Sequence, residues 1–205
     1  MKNYIIIGDS ITYGIGDFET GGWASMFKKY IVEKDDSLAC SNFVHILGFP
    51  GATSRDILNK IDGILDGLKD ETFDNVVILS IGVNDTVYFN GDFKTSRDNY
   101  RENMLKLIRK ITDSGCELIL LGLTRIIIGE SGDSYYTDSN IEVYEQDLKI
   151  ISDNDEVLKE LSESERINYI EMKDVLSKDD YIDGLHPNTV GHKKMFERVK
   201  DYIGV

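Results

Sequence analysis

The segment Gly8-Asp9-Ser10-Ile11-Thr12-Tyr13-Gly14 sets a serine just beyond the apolar run Tyr4–Ile7. A serine at a strand-to-helix turn presents its hydroxyl outward. Its backbone N–H, at a helix start, has no partner within the helix and is free to meet a developing oxyanion. Taken alone, Ser10 reads equally well as a helix cap. A serine hydroxyl is also a poor nucleophile at neutral pH and needs a base within hydrogen-bond reach. The chain has three histidines. His45 falls inside the apolar Phe43–Leu47 run and reads as a core or sheet residue. His192 lies in the last helical stretch and reads as a capping or solvent-facing residue. His186 follows the final apolar run in Asp183-Gly184-Leu185-His186-Pro187, and that position makes it the candidate base. Asp183, three residues earlier across a tight loop, can accept from one imidazole nitrogen while the other faces the serine. On its own it is also an ordinary turn aspartate.

Two more segments offer donors to a tetrahedral intermediate. Gly51, in Phe49-Pro50-Gly51-Ala52, can present an unobstructed backbone N–H, and Asn84, in Gly82-Val83-Asn84-Asp85, a side-chain amide. Loss of one such donor typically costs about 10²–10³ in turnover. Glycine turns and asparagines at strand ends are common, so neither carries weight alone.

These segments need elements to bring them together. Tyr4–Ile7, Phe43–Leu47, Val76–Ser80, Leu118–Leu121 and Ile167–Ile170 read as strands. The third and fourth are apolar nearly throughout, as in parallel strands covered on both faces. Helical stripes alternate with them: Trp23 to Ile31, Ile57 to Leu68 (capped by Thr53 or Ser54), Tyr100 to Ile111 ended by Gly115, Ile141 to Leu161, and Val190 to Ile203. The alternation predicts a three-layer α/β/α sandwich around a parallel sheet of about five strands. In such sheets ligands bind beyond the carboxyl ends of the strands, where all the segments above would converge.

The 205 residues fit a single domain, 1–205. Lys and Arg total 23 against 37 Asp and Glu, a formal charge of −14. So acidic a surface argues against nucleic acid and stable membrane association, because both partners bind mainly through cationic side chains. It mildly favours a neutral small-molecule substrate. No segment has the length of a membrane span, and no signal-peptide pattern is evident, so a cytoplasmic protein is expected. Cys40 and Cys116 read as reduced core residues. The oligomeric state is open, with a homodimer compatible with the sequence.

Together the four blocks resemble the SGNH/GDSL hydrolase family. Gly8-Asp9-Ser10-Ile11 is similar to its first block, with Ile in place of the usual Leu. Gly51 matches the glycine block, Gly82-Val83-Asn84-Asp85 the Gly-x-Asn-Asp block, and Asp183-Gly184-Leu185-His186 the Asp-x-x-His block. All four stand in the family order and span most of the chain. The resemblance implies a flavodoxin-like sheet, an accessible site, and no metal or organic cofactor. It also implies an ester-cleaving serine hydrolase in which Ser10, Asp183 and His186 form the triad, while the N–H groups of Ser10 and Gly51 and the Asn84 amide form the oxyanion hole. Asp9 and Asp85 are read as turn-stabilising neighbours.

The family includes carboxylesterases, lipases, lysophospholipases, thioesterases and carbohydrate O-deacetylases, so it leaves the substrate open. Two apolar, aromatic loops, Thr86 to Phe93 and Arg125 to Tyr136, are candidates for an acyl-binding surface. Tyr88, Phe89, Ile126 and Tyr135 are the candidate substrate-binding residues within them. A lid or a dimer contact would use the same composition. A receiver-like metal-binding domain, using Asp9 and Asp85, is the non-enzymatic alternative, but it gives no reason for the Asp183–His186 pair. An acyl esterase is the expectation.

Overall fold

A computed structural model describes residues 1–35, 41–86, 88–89, 92–93, 95–125 and 145–204, with the side chains of 88–89, 92–93 and 145–152 outside that description. Strand β1 (Lys2–Gly8) leads into a single turn of helix, α1 (Ser10–Tyr13), and then α2 (Trp23–Lys34). Next come β2 (Asn42–Gly48), α3 (Ser54–Leu58), α4 (Ile61–Leu68) and β3 (Asp74–Ser80). A small antiparallel pair, β4 (Tyr88–Phe89) with β5 (Asp92–Phe93), precedes α5 (Arg97–Asp113) and β6 (Glu117–Leu121). The chain closes with α6 (Glu145–Glu165), β7 (Asn168–Ile170) and α7 (Thr189–Ile203).

Five strands form one parallel sheet in the order β2-β1-β3-β6-β7. Helices α2 and α7 pack together, while α5 packs against α3, α4 and α6, as in two layers flanking the sheet. Ile5, Ile6 and Ile7, Val76 to Leu79, and Leu118 to Leu121 are buried irrespective of which way they alternate. Coverage on both faces is the cause, and it is why these strands read as unbroken apolar runs. Tyr4 meets Phe27 of α2 edge to face at 5.2 Å, joining β1 to one helical layer.

The strand order reverses at β1, which lies between β2 and β3. The crevice at that switch point is where open parallel sheets take ligands. Gly8 of β1 pairs in register with Gly48 and with Ser80, so all three strands stop at one level. A Cβ on Gly8 would lie 2.1 Å from Thr12 Oγ1 and 2.5 Å from the Ser80 carbonyl, so α1 rests on the strand ends only because no side chain intervenes.

Three expectations need correction. The stripe from Ile57 to Leu68 is two helices. Thr53 caps α3 in a reciprocal capping box with Asp56, and α3 then closes at Asn59–Lys60 through a tight Lys60 N–H to Ile57 carbonyl bond of 2.9 Å. Ile167 precedes the last strand, which begins at Asn168. His192 neither caps nor faces solvent: it is fully buried. Asn188 caps α7, setting His192 one turn in, against α2 and the loop after α1. Its Nδ1 accepts from the Trp23 N–H at 3.2 Å and its Nε2 donates to the Ile15 carbonyl at 3.0 Å. His45 lies in edge strand β2, half-buried, as the sequence suggests. Cys116 is a buried free thiol, and Cys40 falls outside the described residues. Among the described residues no helix is long and apolar enough to cross a membrane.

Burial pushes the His192 imidazole below its ordinary value, although the Ile15 carbonyl and nearby Asp17 oppose the shift. Between that lowered value and the ordinary one, the unfolded chain binds the proton and the folded chain does not. The stability from this site is therefore complete above about pH 6.5 and is lost as the pH falls below it. Urea midpoints should drop from pH 7.5 to pH 5.5, and the drop should be smaller in His192→Gln.

Candidate active site

Ser10 is the first residue of α1, and the preceding Asp9 caps that turn by accepting the Ile11 N–H on Oδ1 at 2.9 Å. Ser10 itself is largely buried. Its hydroxyl meets His186 Nε2 at 3.0 Å, and His186 Nδ1 meets Asp183 Oδ2 at 2.7 Å. An ionised carboxylate can only accept, so the proton of the neutral ring sits on Nδ1 and Nε2 is left to accept from the serine. Residues 176 positions apart in the chain thus meet just beyond the end of β1.

The loop that carries His186 is built to hold it. Asp183 Oδ1 accepts the N–H groups of Leu185 and His186 at 2.9 and 2.7 Å, folding the loop back on its own carboxylate. The Ile182 N–H donates to the His186 carbonyl at 3.0 Å, and the Asn188 N–H to the Asp180 carbonyl at 2.7 Å. Tyr181 donates its hydroxyl to the Arg125 carbonyl, tying this loop to the segment after β6. Burial alone would raise Asp183, but bonds from the His186 ring and from the His186 and Leu185 N–H groups outweigh it and hold the carboxyl below its usual range. Asp183 is thereby kept ionised, the form that orients the imidazole.

Gly51 and Asn84 lie at the level ends of β2 and β3. Gly51 adopts φ +76°, and a Cβ there would meet nothing within 4 Å. The glycine is needed for its backbone conformation, not for close packing, and that side of the turn opens to space. Asn84 is buried and donates Nδ2 to the Ala52 carbonyl at 3.0 Å and to Asp9 Oδ2 at 3.3 Å. It is thus bonded to the neighbour of Gly51 and to the neighbour of Ser10. One expected oxyanion donor, Asn84, is tied to the residues adjoining the other two.

The carboxylates next to Ser10 and Asn84 do more than the turn-stabilising work expected of them. Asp85, fully buried, reaches across to α3, taking the Ser54 N–H at 2.8 Å and the Ser54 hydroxyl at 2.6 Å. The Asn103 amide of α5 donates to the same hydroxyl at 3.1 Å. Asp9 caps its own turn but also holds Asn84. Burial pushes Asp9 up to about 6, moderated by the Ile11 N–H and nearby His186 and reinforced by Asp85. Burial likewise raises Asp85, against the bonds from Ser54. The signal available in the sequence was the pair of acidic residues flanking Ser10 and Asn84. Their partners lie about 30 and 75 residues away, out of reach of any local pattern.

Tyr88 and Phe89 form β4, but their side chains fall outside the description, as do Ile126 and Tyr135 altogether. Among the described residues no group of three or more His, Cys, Asp or Glu side chains is placed to hold a metal ion.

A family model described as the GDSL-like Lipase/Acylhydrolase family matches residues 6–194. The chain is 22% identical over 234 residues to a multidomain esterase of Ruminococcus flavefaciens, covering 96% of this chain and 28% of that protein. The chain therefore spans little more than a quarter of that relative. Among solved structures, the lipase/acylhydrolase of Enterococcus faecalis superposes with a TM-score of 0.74 at 21% identity, over 99% of this chain and 95% of that one. A catalytic mutant of an acetylxylan esterase from Geobacillus stearothermophilus gives 0.74 at 17% identity, over 98% and 94%. These likenesses show the fold.

Replacing Ser54 by Ala removes the hydroxyl that serves both Asp85 and Asn103. It should cost about 1–3 kcal/mol, the usual penalty for stranding a buried polar partner, read as a lowered urea midpoint.

Proposed function

The chain belongs to the GDSL-like lipase/acylhydrolase family, and from that membership we propose that it hydrolyses carboxylic esters through an acyl-enzyme formed on Ser10. The observation that carries the reading is the relay of two hydrogen bonds from Ser10 through His186 to Asp183, at 3.0 and 2.7 Å.

The steps follow from that geometry. Ser10 Oγ attacks the ester carbonyl carbon as its proton passes to His186 Nε2, and the carbonyl oxygen becomes an oxyanion. The N–H groups of Ser10 and Gly51 and the Asn84 amide receive that charge. Asp183 stabilises the imidazolium by accepting from Nδ1 without taking its proton. The intermediate collapses by breaking the bond to the alcohol oxygen, which leaves with the proton from Nε2. Water then repeats the sequence on the acyl-enzyme: it gives a proton to His186 as it attacks, and Ser10 recovers it as the acid departs.

The proposed substrate is a neutral ester with a short or medium acyl chain, with Tyr88, Phe89, Ile126 and Tyr135 as the residues proposed to bind that chain. Deacetylation of a carbohydrate is a second reading, favoured by the likeness to the acetylxylan esterase. p-Nitrophenyl esters from acetate to decanoate, run beside acetylated xylo-oligosaccharides, separate the two. An acyl surface predicts a rate that depends on chain length on the aryl esters. A flat series together with brisk release of acetate from the sugar would favour deacetylation.

Ser10→Ala and His186→Ala should each lower kcat by at least about 10³; Ser10→Ala should leave stability within about 0.5 kcal/mol of wild type, read as the urea midpoint, while His186→Ala should lower that midpoint because it takes from Asp183 its side-chain partner. A fluorophosphonate should label wild type at Ser10 and leave Ser10→Ala untouched. A wild-type chain that resists the reagent would overturn the mechanism.

A further inference from the structure

Asn84 Nδ2 carries two N–H groups and no more. In the resting site both have acceptors, the Ala52 carbonyl at 3.0 Å and Asp9 Oδ2 at 3.3 Å. An oxyanion can therefore engage this amide only if one of those bonds yields. The Ala52 bond is the shorter, and its acceptor is a backbone carbonyl of the segment that the Ala52 N–H to Phe49 carbonyl bond, at 3.0 Å, holds in its turn. The Asp9 bond is longer than the usual 2.9–3.0 Å for such pairs. Its acceptor has a second anchor, since Oδ1 keeps the Ile11 N–H at 2.9 Å whatever Oδ2 does.

We propose that Asp9 is a positioning residue for the hydrolysis argued above: its Oδ2 holds the Asn84 amide aimed while the site is empty and gives up that N–H to the oxyanion as the tetrahedral intermediate forms. This rests on the ester-hydrolase reading of the site. The same carboxylate thus serves two donors with different fates. The Ile11 bond fixes the turn that carries Ser10 and is permanent; the Asn84 bond is exchanged during each attack.

Two substitutions separate the roles. Asp9→Asn keeps the shape but sets an amide against an amide. Asp9→Ser keeps an oxygen able to cap Ile11 but is too short to reach Asn84. Each should lower kcat at least tenfold on p-nitrophenyl acetate with KM within twofold, because a mis-aimed Asn84 amide is missed only when the oxyanion forms in the transition state. Asn84→Ala should lose about 10²–10³. Combined with Asn84→Ala, Asp9→Ser should cost less than a further threefold, since Asp9 has nothing left to position. If Asp9→Ser keeps kcat within threefold of wild type, or if its loss multiplies in full with that of Asn84→Ala, the inference falls. Should Asp9→Asn fail to fold, the Asp9→Ser pair decides alone. Fluorophosphonate labelling of wild type distinguishes the failures: a labelled chain indifferent to Asp9→Ser refutes the positioning role only, and an unlabelled chain refutes the hydrolase reading itself.

Discussion

Three adjacent parallel strands stop at the same level, Gly8 beside Gly48 and beside Ser80, and the chemistry depends on that alignment. A shift of one residue in either pairing would turn each following segment to the opposite face. Ser10, Gly51 and Asn84 would then no longer share a rim. The register is secured below the site, between β1 and β3 by side chains buried on both faces and at edge strand β2 by buried Val44. Burying such a chain fully contributes roughly 1.5–3 kcal/mol for each aliphatic side chain, so the alignment is held by the most stable part of the molecule.

Above the strands the forces change from apolar burial to hydrogen bonds among carboxylates and amides. Asp183, Asp9 and Asp85 each gather two or three donors and each organises a different segment. Their protonation balance separates them. Asp183 accepts enough donors to lie below the usual carboxylate range, while burial lifts Asp9 and Asp85 above it. For Asp9, lifted from 3.8 to about 6, keeping the charge at neutral pH costs about 3 kcal/mol of folding stability. Such a cost at a rim residue is the usual form of the trade between a well-armed site and a stable fold.

The sequence discloses whatever is local or periodic. The central strands announce themselves as unbroken apolar runs because both faces are covered. Asp183 and His186 are legible because three residues and a glycine suffice to close their loop. Ser10 stands out only in company with the other three blocks, since alone it reads equally well as a helix cap. What it hides is tertiary. His192 looks like a polar helix residue until α2 and the loop after α1 pack over it. The break between α3 and α4 depends on how tightly Lys60 closes the first turn, which the hydrophobic stripe passes straight over. The bonds from Asp85 to Ser54 and from Asn84 to Asp9 join segments with no shared periodicity.

The contact between the Ser10 hydroxyl and the His186 ring closes a loop of 176 residues. Few contacts in a chain of this size demand so much of the backbone to be in place first, and such long closures form late. Ser10 follows β1 and His186 follows β7, so every other strand of the main sheet lies in the chain between them. A chain cut anywhere in that span keeps the serine without the ring it meets, and the intact contact is a report on completed folding.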